Sequence, residues 1–514
     1  MKDEDPEVYT LYGPLRNYLR VVNLIKGLRA IHSHSQHLLF GTSLLNSISN
    51  LPFRYKQLRV MSDYVQYQML PWELETLAKE IIINSPEVGS KKNIEDWNCL
   101  VAAINKIKEL EDEISVKYVD TANVLIEVHR IAHKQFPWQI RPNLEQLSRY
   151  WKIYSYSKLA FLIEEVFGLT LEEVYIIGFA LIGLYLDKFA LFYPPNIFLL
   201  HLNQGHLDKF LSHFSIPLED LKKKLINEQE YNERYAYAFN SLKAYPLIKT
   251  EYDGRIALIC PLPILLYRRL NEGLYYEICG KTGFDEAFGE SFQSFVGELL
   301  NRGNPKAKII PETIYRKYKK EKRTVDWIMT DDSAILFIEC KAKRLTLEAK
   351  ISLTDHTELD KEFDKLSNSV VQVYKTLLDY KQNLYPNLQY NPNKTVYPFI
   401  ITSEEWYLFG DKLSPMINAH VRDKLIEEKI PEDILITNPF TICSLDSLNL
   451  LVQVSRKYML DKIIKHSFEN IKYKFWSLDS VIRDAYPGDS INIESLFKKE
   501  FDSYIKGIQN RKNI

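Results

Sequence analysis

Cysteine is scarce in this chain. There are five in 514 residues (Cys99, Cys260, Cys279, Cys340, Cys443), with no CxxC spacing and no His close beside them. That excludes a zinc ribbon or finger and argues against a disulfide framework, so a reducing cytoplasm is expected. Long apolar runs are also missing. The most apolar one, Val174 to Leu186, has 13 residues and closes on Asp187-Lys188. A membrane span needs about 20, so a buried core helix is expected and no membrane partner. The first residues, MKDEDPEVYT, are acidic and polar, so no signal peptide is expected. No charge of one sign dominates: 66 Lys and Arg face 67 Asp and Glu, a formal net charge of −1. No global field draws the chain to nucleic acid or anionic lipid, and any polyanion site has to be a local patch. Neither a Walker A motif nor a strand-linked GxGxxG occurs, which leaves ATP and NAD chemistry without support.

What is present is ordinary globular composition, 46% hydrophobic and 26% charged, which excludes a disordered, collagenous or rod-like chain. Residues 1–243 read as helix, with Leu15, Tyr18, Leu19, Val22, Leu24, Ile25 and Leu28 recurring at helical spacing. A cluster there, His32, His34 and His37, has no carboxylate nearby and reads as a solvated helix end. Residues 244–280 form a lead-in in which Asp253-Gly254, between two apolar runs, predicts a hairpin with a type I′ turn. Residues 281–445 read as α/β with a small mixed sheet. An amphipathic helix (289–300) is followed by strands at Ile309–Tyr315, Thr324–Thr330 and Ala334–Cys340, with a basic loop between the first two. A helix from Lys361 to about Tyr380 and a strand at 395–402 come next. Residues 446–514 read as a helical tail.

Three ionisable residues interrupt the apolar strands: Asp326, Glu339 and Lys341. A charge in a buried strand is costly unless it is paired or bound to a metal. Glu339 and Lys341 are two apart and leave the same face of one strand. Asp326 lies 13 residues before Glu339 on the neighbouring strand of a tight hairpin, close enough to converge. Two carboxylates beside an ammonium suit a hard cation, Mg²⁺ or Mn²⁺, that polarises a phosphoryl oxygen. Lys341 is placed to orient the attacking water or to stabilise developing negative charge. For each residue alone, a strand-end ion pair is the plain structural alternative.

Helix, hairpin with Asp on its second strand, then Glu-x-Lys on the third: over about 280–445 the chain resembles the PD-(D/E)xK nuclease superfamily, the restriction-endonuclease-like fold. The resemblance implies a metal-dependent phosphodiester hydrolase. Asp326 and Glu339 would be its metal ligands and Lys341 its catalytic lysine. The Pro usual before that Asp is Val325 here. The helix keeps Gly289, Phe292, Phe295, Val296, Leu299 and Leu300 of the family pattern but has Gln293 where a Glu belongs, with Glu290 one turn earlier. Gln372 and Tyr374 resemble the superfamily's second-helix element. A long helical region ahead of such a domain is similar to the layout of cytosolic nucleases that defend against phage or foreign DNA. The alternative is a nuclease-fold protein, impaired by Gln293, that binds nucleic acid or a partner protein; DNA versus RNA is open, as is a second copy or a partner on the helical region.

A charge count adds a polyanion patch. From 306 to 344 there are eleven Lys and Arg against six Asp and Glu, concentrated at Arg316, Lys317, Lys319, Lys320, Lys322 and Arg323 with Tyr315 and Tyr318 interleaved. Phosphate contacts supply most nonspecific affinity for nucleic acid.

Overall fold

The computed structural model describes residues 4–57, 67, 69–88, 91–195, 202–408 and 410–503. The chain divides into two compact units: Met1–Thr121 with His133–Phe284 and Phe501–Ile514, and Ala122–Ala132 with Asp285–Glu500. Residues 244–280 therefore lie in the first unit, and residues 446–500 in the second.

The first unit is mainly helical. Its helices bury the expected faces; Trp97–Tyr118, for example, buries Leu100, Ala103, Ile104, Ile107 and Leu110. Two short strands inside the stretch read as helical, β1 (Ala190–Phe192) and β2 (Ser215–Pro217), flank the hairpin of β3 (Leu247–Tyr252) and β4 (Arg255–Ile259) in a sheet of order β1-β4-β3-β2. The Asp253-Gly254 turn has φ of 50° and 72°, the type I′ geometry its sequence predicts.

The histidine cluster differs from expectation. His32, His34 and His37 are buried in the Leu24–Phe40 helix. His32 Nε2 lies 2.8 Å from the Tyr185 carbonyl, His34 Nδ1 3.0 Å from the Tyr55 hydroxyl, and His37 Nε2 3.1 Å from the Tyr55 carbonyl. Polar partners let the rings enter the core, and burial pushes the His34 imidazole down to about 3. Arg269 is likewise buried and pairs with Glu277.

Among the described residues no single helix is long and apolar enough to cross a membrane. The helices Ser157–Phe167 and Leu171–Asp187 pass that test only as a pair, bent by 65°. Leu171–Asp187 buries Val174, Tyr175, Ile177, Gly178, Leu181 and Tyr185 against protein, as a core helix does.

The second unit is built on a five-stranded sheet of order β11-β10-β9-β8-β5. Its strands are β5 (Lys308–Pro311), β8 (Trp327–Thr330), β9 (Ala334–Lys341), β10 (Thr395–Thr402) and β11 (Thr441–Ser444). β5, β8 and β9 pair antiparallel, whereas β9, β10 and β11 run parallel. The parallel β9–β10 step needs a long crossover, supplied by helices Leu347–Ile351 and Thr357–Lys381. Ala334 to Ile338 are all buried, whereas Glu339, Cys340 and Lys341 are half-buried. A strand covered on both faces reads as continuous apolar sequence, and charge returns where the cover ends. The Phe284–Gly303 helix lies beside this sheet and buries Phe288, Phe292, Phe295, Val296, Leu299 and Leu300.

The basic stretch is not a loop but a hairpin of its own, β6 (Ile314–Lys317) with β7 (Lys320–Arg323), forming a separate two-stranded sheet. The strand expected at Ile309–Tyr315 is divided between β5 and β6, and the one expected at Thr324–Thr330 is shortened to Trp327–Thr330.

Candidate functional site

The acidic pair is set by register. In the β8–β9 ladder Trp327 faces Ile338, so one step outward Asp326 stands opposite Glu339. The Cys340 N–H donates to Asp326 Oδ2 at 2.7 Å, which fixes that carboxylate against the end of β9. Lys341 Nζ donates to Glu339 Oε1 at 2.9 Å. The three residues singled out from the sequence therefore meet at one place. It is the edge where β9, β10 and β11 present their carboxyl ends, with Lys341, Thr402 and Ser444 in register. Ligands of open α/β sheets bind at such an edge.

Like charges directly opposite in a ladder repel. Burial, and then the Glu339 charge, push the Asp326 carboxyl up to about 7, with the Cys340 N–H and Lys341 working against them. Burial opposes protonation of Lys341, but Glu339 and Asp326 hold its ammonium above its ordinary value. Burial and the same two carboxylates push the Cys340 thiol far up, so no thiolate nucleophile is formed.

A bulge aims Asp326. The Glu312 N–H donates to the Asp326 carbonyl at 2.9 Å, continuing the register in which Pro311 faces Trp327. The next pair is shifted. Thr324 N–H donates to the Thr313 carbonyl at 3.0 Å, Thr313 N–H donates to the Thr324 hydroxyl at 2.9 Å, and Ile314 faces Arg323. Val325 is thus the extra residue of a β-bulge immediately before Asp326. A bulge bends its strand and re-aims the neighbouring side chain. This signal was missed in the sequence, where Val325 reads only as a substitute for Pro.

The helix that should carry another ligand comes close. The Trp327 indole N–H donates to the Gln293 carbonyl at 2.9 Å, so residue 293 lies against the residue that follows Asp326. Among the described residues, no three His, Cys, Asp or Glu side chains form a metal-holding group, and Glu290 is not brought into one with Asp326 and Glu339. Glu298 faces elsewhere and pairs with Arg302 at 3.0 Å. Tyr374 is a core residue whose hydroxyl donates to the Asn438 carbonyl at 2.8 Å, and Gln372 is exposed.

The six basic residues are not equivalent. Asp379, on the Thr357–Lys381 helix, is 1% exposed and accepts from the Tyr315 hydroxyl at 2.6 Å, from Lys322 at 3.0 Å and from Lys317. Burial would raise the Asp379 carboxyl, but the donors Lys317, Tyr315 and Lys322 hold it below the usual carboxylate range. Arg323 pairs with Glu312 at 2.9 Å, and Arg316 approaches Glu321 at 3.6 Å. Among the described residues, Lys319 and Lys320 have no carboxylate partner. Both are exposed at the hairpin end, next to Tyr318, which is 87% exposed. Sequence reasoning missed Asp379 because its partners lie about 60 residues earlier in the chain.

No protein-family profile matches the chain, and neither the curated proteins nor the solved structures contain a match.

Proposed function

We propose that the second unit is a divalent-metal-dependent nuclease that hydrolyses phosphodiester bonds, with DNA as its first expected substrate. The observation that carries this reading is Asp326 opposite Glu339 with Lys341 bonded to Glu339. The donor set fits a hard cation: two facing carboxylates at a site where burial first, and the Glu339 charge second, raise the Asp326 carboxyl to about 7, a cost that a bound cation would relieve. Asp326 and Glu339 would hold Mg²⁺ or Mn²⁺, and the bound ion would supply Lewis-acid stabilisation and an activated water.

The chain's own groups do the rest. The Cys340 N–H holds the Asp326 carboxylate in place, while Glu339 anchors Lys341. The remaining N–H groups of Lys341 are then free to stabilise charge on a phosphoryl oxygen. The order of helix, Asp-bearing strand and Glu-x-Lys strand supports the PD-(D/E)xK resemblance, and a defence role in the cytoplasm is proposed on resemblance of layout alone. Gln293 carries a second reading, in which the site binds nucleic acid without cutting it.

Incubating the purified full-length chain with supercoiled plasmid, linear duplex, single-stranded DNA and RNA tests the proposal. Cleavage in Mn²⁺ or Mg²⁺, abolished by EDTA, is the expected result. Intact substrates in every metal, with binding retained, would leave the second reading.

A further inference from the structure

The β6–β7 hairpin breaks three local rules at once. Its two-residue turn is Tyr318-Lys319, at φ of 49° and 63°, a left-handed pair for which Asn-Gly is the usual choice. Lys317 stands directly opposite Lys320, a like-charge pair that works against the ladder. The outer residues Lys320, Glu321, Lys322 and Arg323 are all exposed, so no core holds β7. Local costs of this kind concentrate where function requires them.

The hairpin is nevertheless fixed. Tyr315 is buried, its ring 5.3 Å from that of Tyr385, and its hydroxyl meets Asp379 together with Lys317 and Lys322. Asp379 therefore divides the cations. Lys317 and Lys322 are consumed at the base, whereas Lys319 and Lys320 remain exposed at the tip.

We infer that this hairpin is a phosphate-backbone arm, with Tyr318, Lys319 and Lys320 as its contact tip and Asp379 as the positioning residue that holds it. The inference rests on the nuclease reading for its substrate and adds the reach and the division of labour. From Asp326 back to Lys320 is six residue steps, at most about 20 Å at ~3.3 Å per residue. On duplex DNA that is about six base steps. The tip thus takes phosphates no more than about six pairs from the bond held at Asp326 and Glu339.

The test is binding of the full-length chain to a labelled 30-bp duplex in EDTA over a KCl series. Lys319→Ala/Lys320→Ala is expected to lower affinity roughly 10- to 100-fold near 0.1 M salt. It should also flatten the slope of log K against log salt by roughly 1.8, two contacts at about 0.9 each, with the thermal midpoint unchanged. Lys317→Ala/Lys322→Ala is expected to do the reverse, lowering the midpoint and keeping the slope. With Mn²⁺ present, a methylphosphonate moved along the phosphates up to about six from the cut bond should weaken wild type at one position and leave the tip variant unchanged there. A wild-type chain that binds no duplex overturns the arm, while the nuclease reading stands or falls on the cleavage assay with its four substrates and added metal. A wild-type chain that binds, with the tip variant keeping its slope or both pairs losing it equally, sinks the arm alone.

Discussion

Asp326→Asn is expected to abolish cleavage, by at least roughly a thousandfold, and to make the protein more stable at neutral and alkaline pH. Removing a ligand of a catalytic cation forfeits several kcal/mol of transition-state stabilisation. The stability sign follows from the carboxyl. Its ordinary value is 3.8, and the fold raises it to about 7. The folded state thus binds this proton more tightly than the unfolded state does. Stability falls as pH rises from about 4 to about 7, and the cost is fully present above 7. Asn carries no such cost, so the variant gains on the order of 1–3 kcal/mol at pH 8 and little at pH 4. Thermal melts of variant and wild type at both pH values give the comparison. A gain that is equal at pH 4 and pH 8 would mean that the fold does not raise the Asp326 carboxyl.

Gly297→Ala is expected to destabilise the second unit and to cut activity with it. An added Cβ at Gly297 would lie 2.0 Å from Trp327 Cζ2 and 2.4 Å from Cη2. The ring has little freedom to retreat, because its N–H is held by the Gln293 carbonyl. Overpacking of this kind costs about 1–3 kcal/mol, or roughly 2–10 °C in the melting midpoint of a unit this size. The displacement falls on the residue beside Asp326, so the cleavage rate should drop as well. Trp327→Leu in the same chain should recover part of the midpoint, since the two residues share one space. A Gly297→Ala protein melting like wild type would show that helix and strand are less closely apposed.

The candidate site was largely legible because its signals are local. An apolar run ending in Glu-Cys-Lys marks the exit of β9 from the core, and a 13-residue return places Asp326 opposite it. Strand β10 coincides with the expected 395–402, and the Asp253-Gly254 turn announces its own geometry. What was not legible depends on distant partners. His32, His34 and His37 look solvated until Tyr185 and Tyr55, far along the chain, supply their hydrogen bonds. The basic stretch looks like a loop because neither its turn residues nor its charges favour a hairpin, and only the buried Asp379 explains why it forms one. The bulge at Val325 is a register slip, which has no composition signal. Strands β1 and β2 are three residues each, too short for an alternation pattern to show.

Asp326 and Glu339 are proposed to hold a divalent cation together, and calorimetric titration of Mn²⁺ into the full-length protein is the decisive measurement. Wild type is expected to bind at least one ion per chain, with proton release near pH 6.5 as the Asp326 proton is displaced. The Asp326→Asn/Glu339→Gln protein, folded by its melt, is expected to lose that heat. Equal Mn²⁺ binding by both proteins, or no binding by wild type, would show that this pair holds no cation.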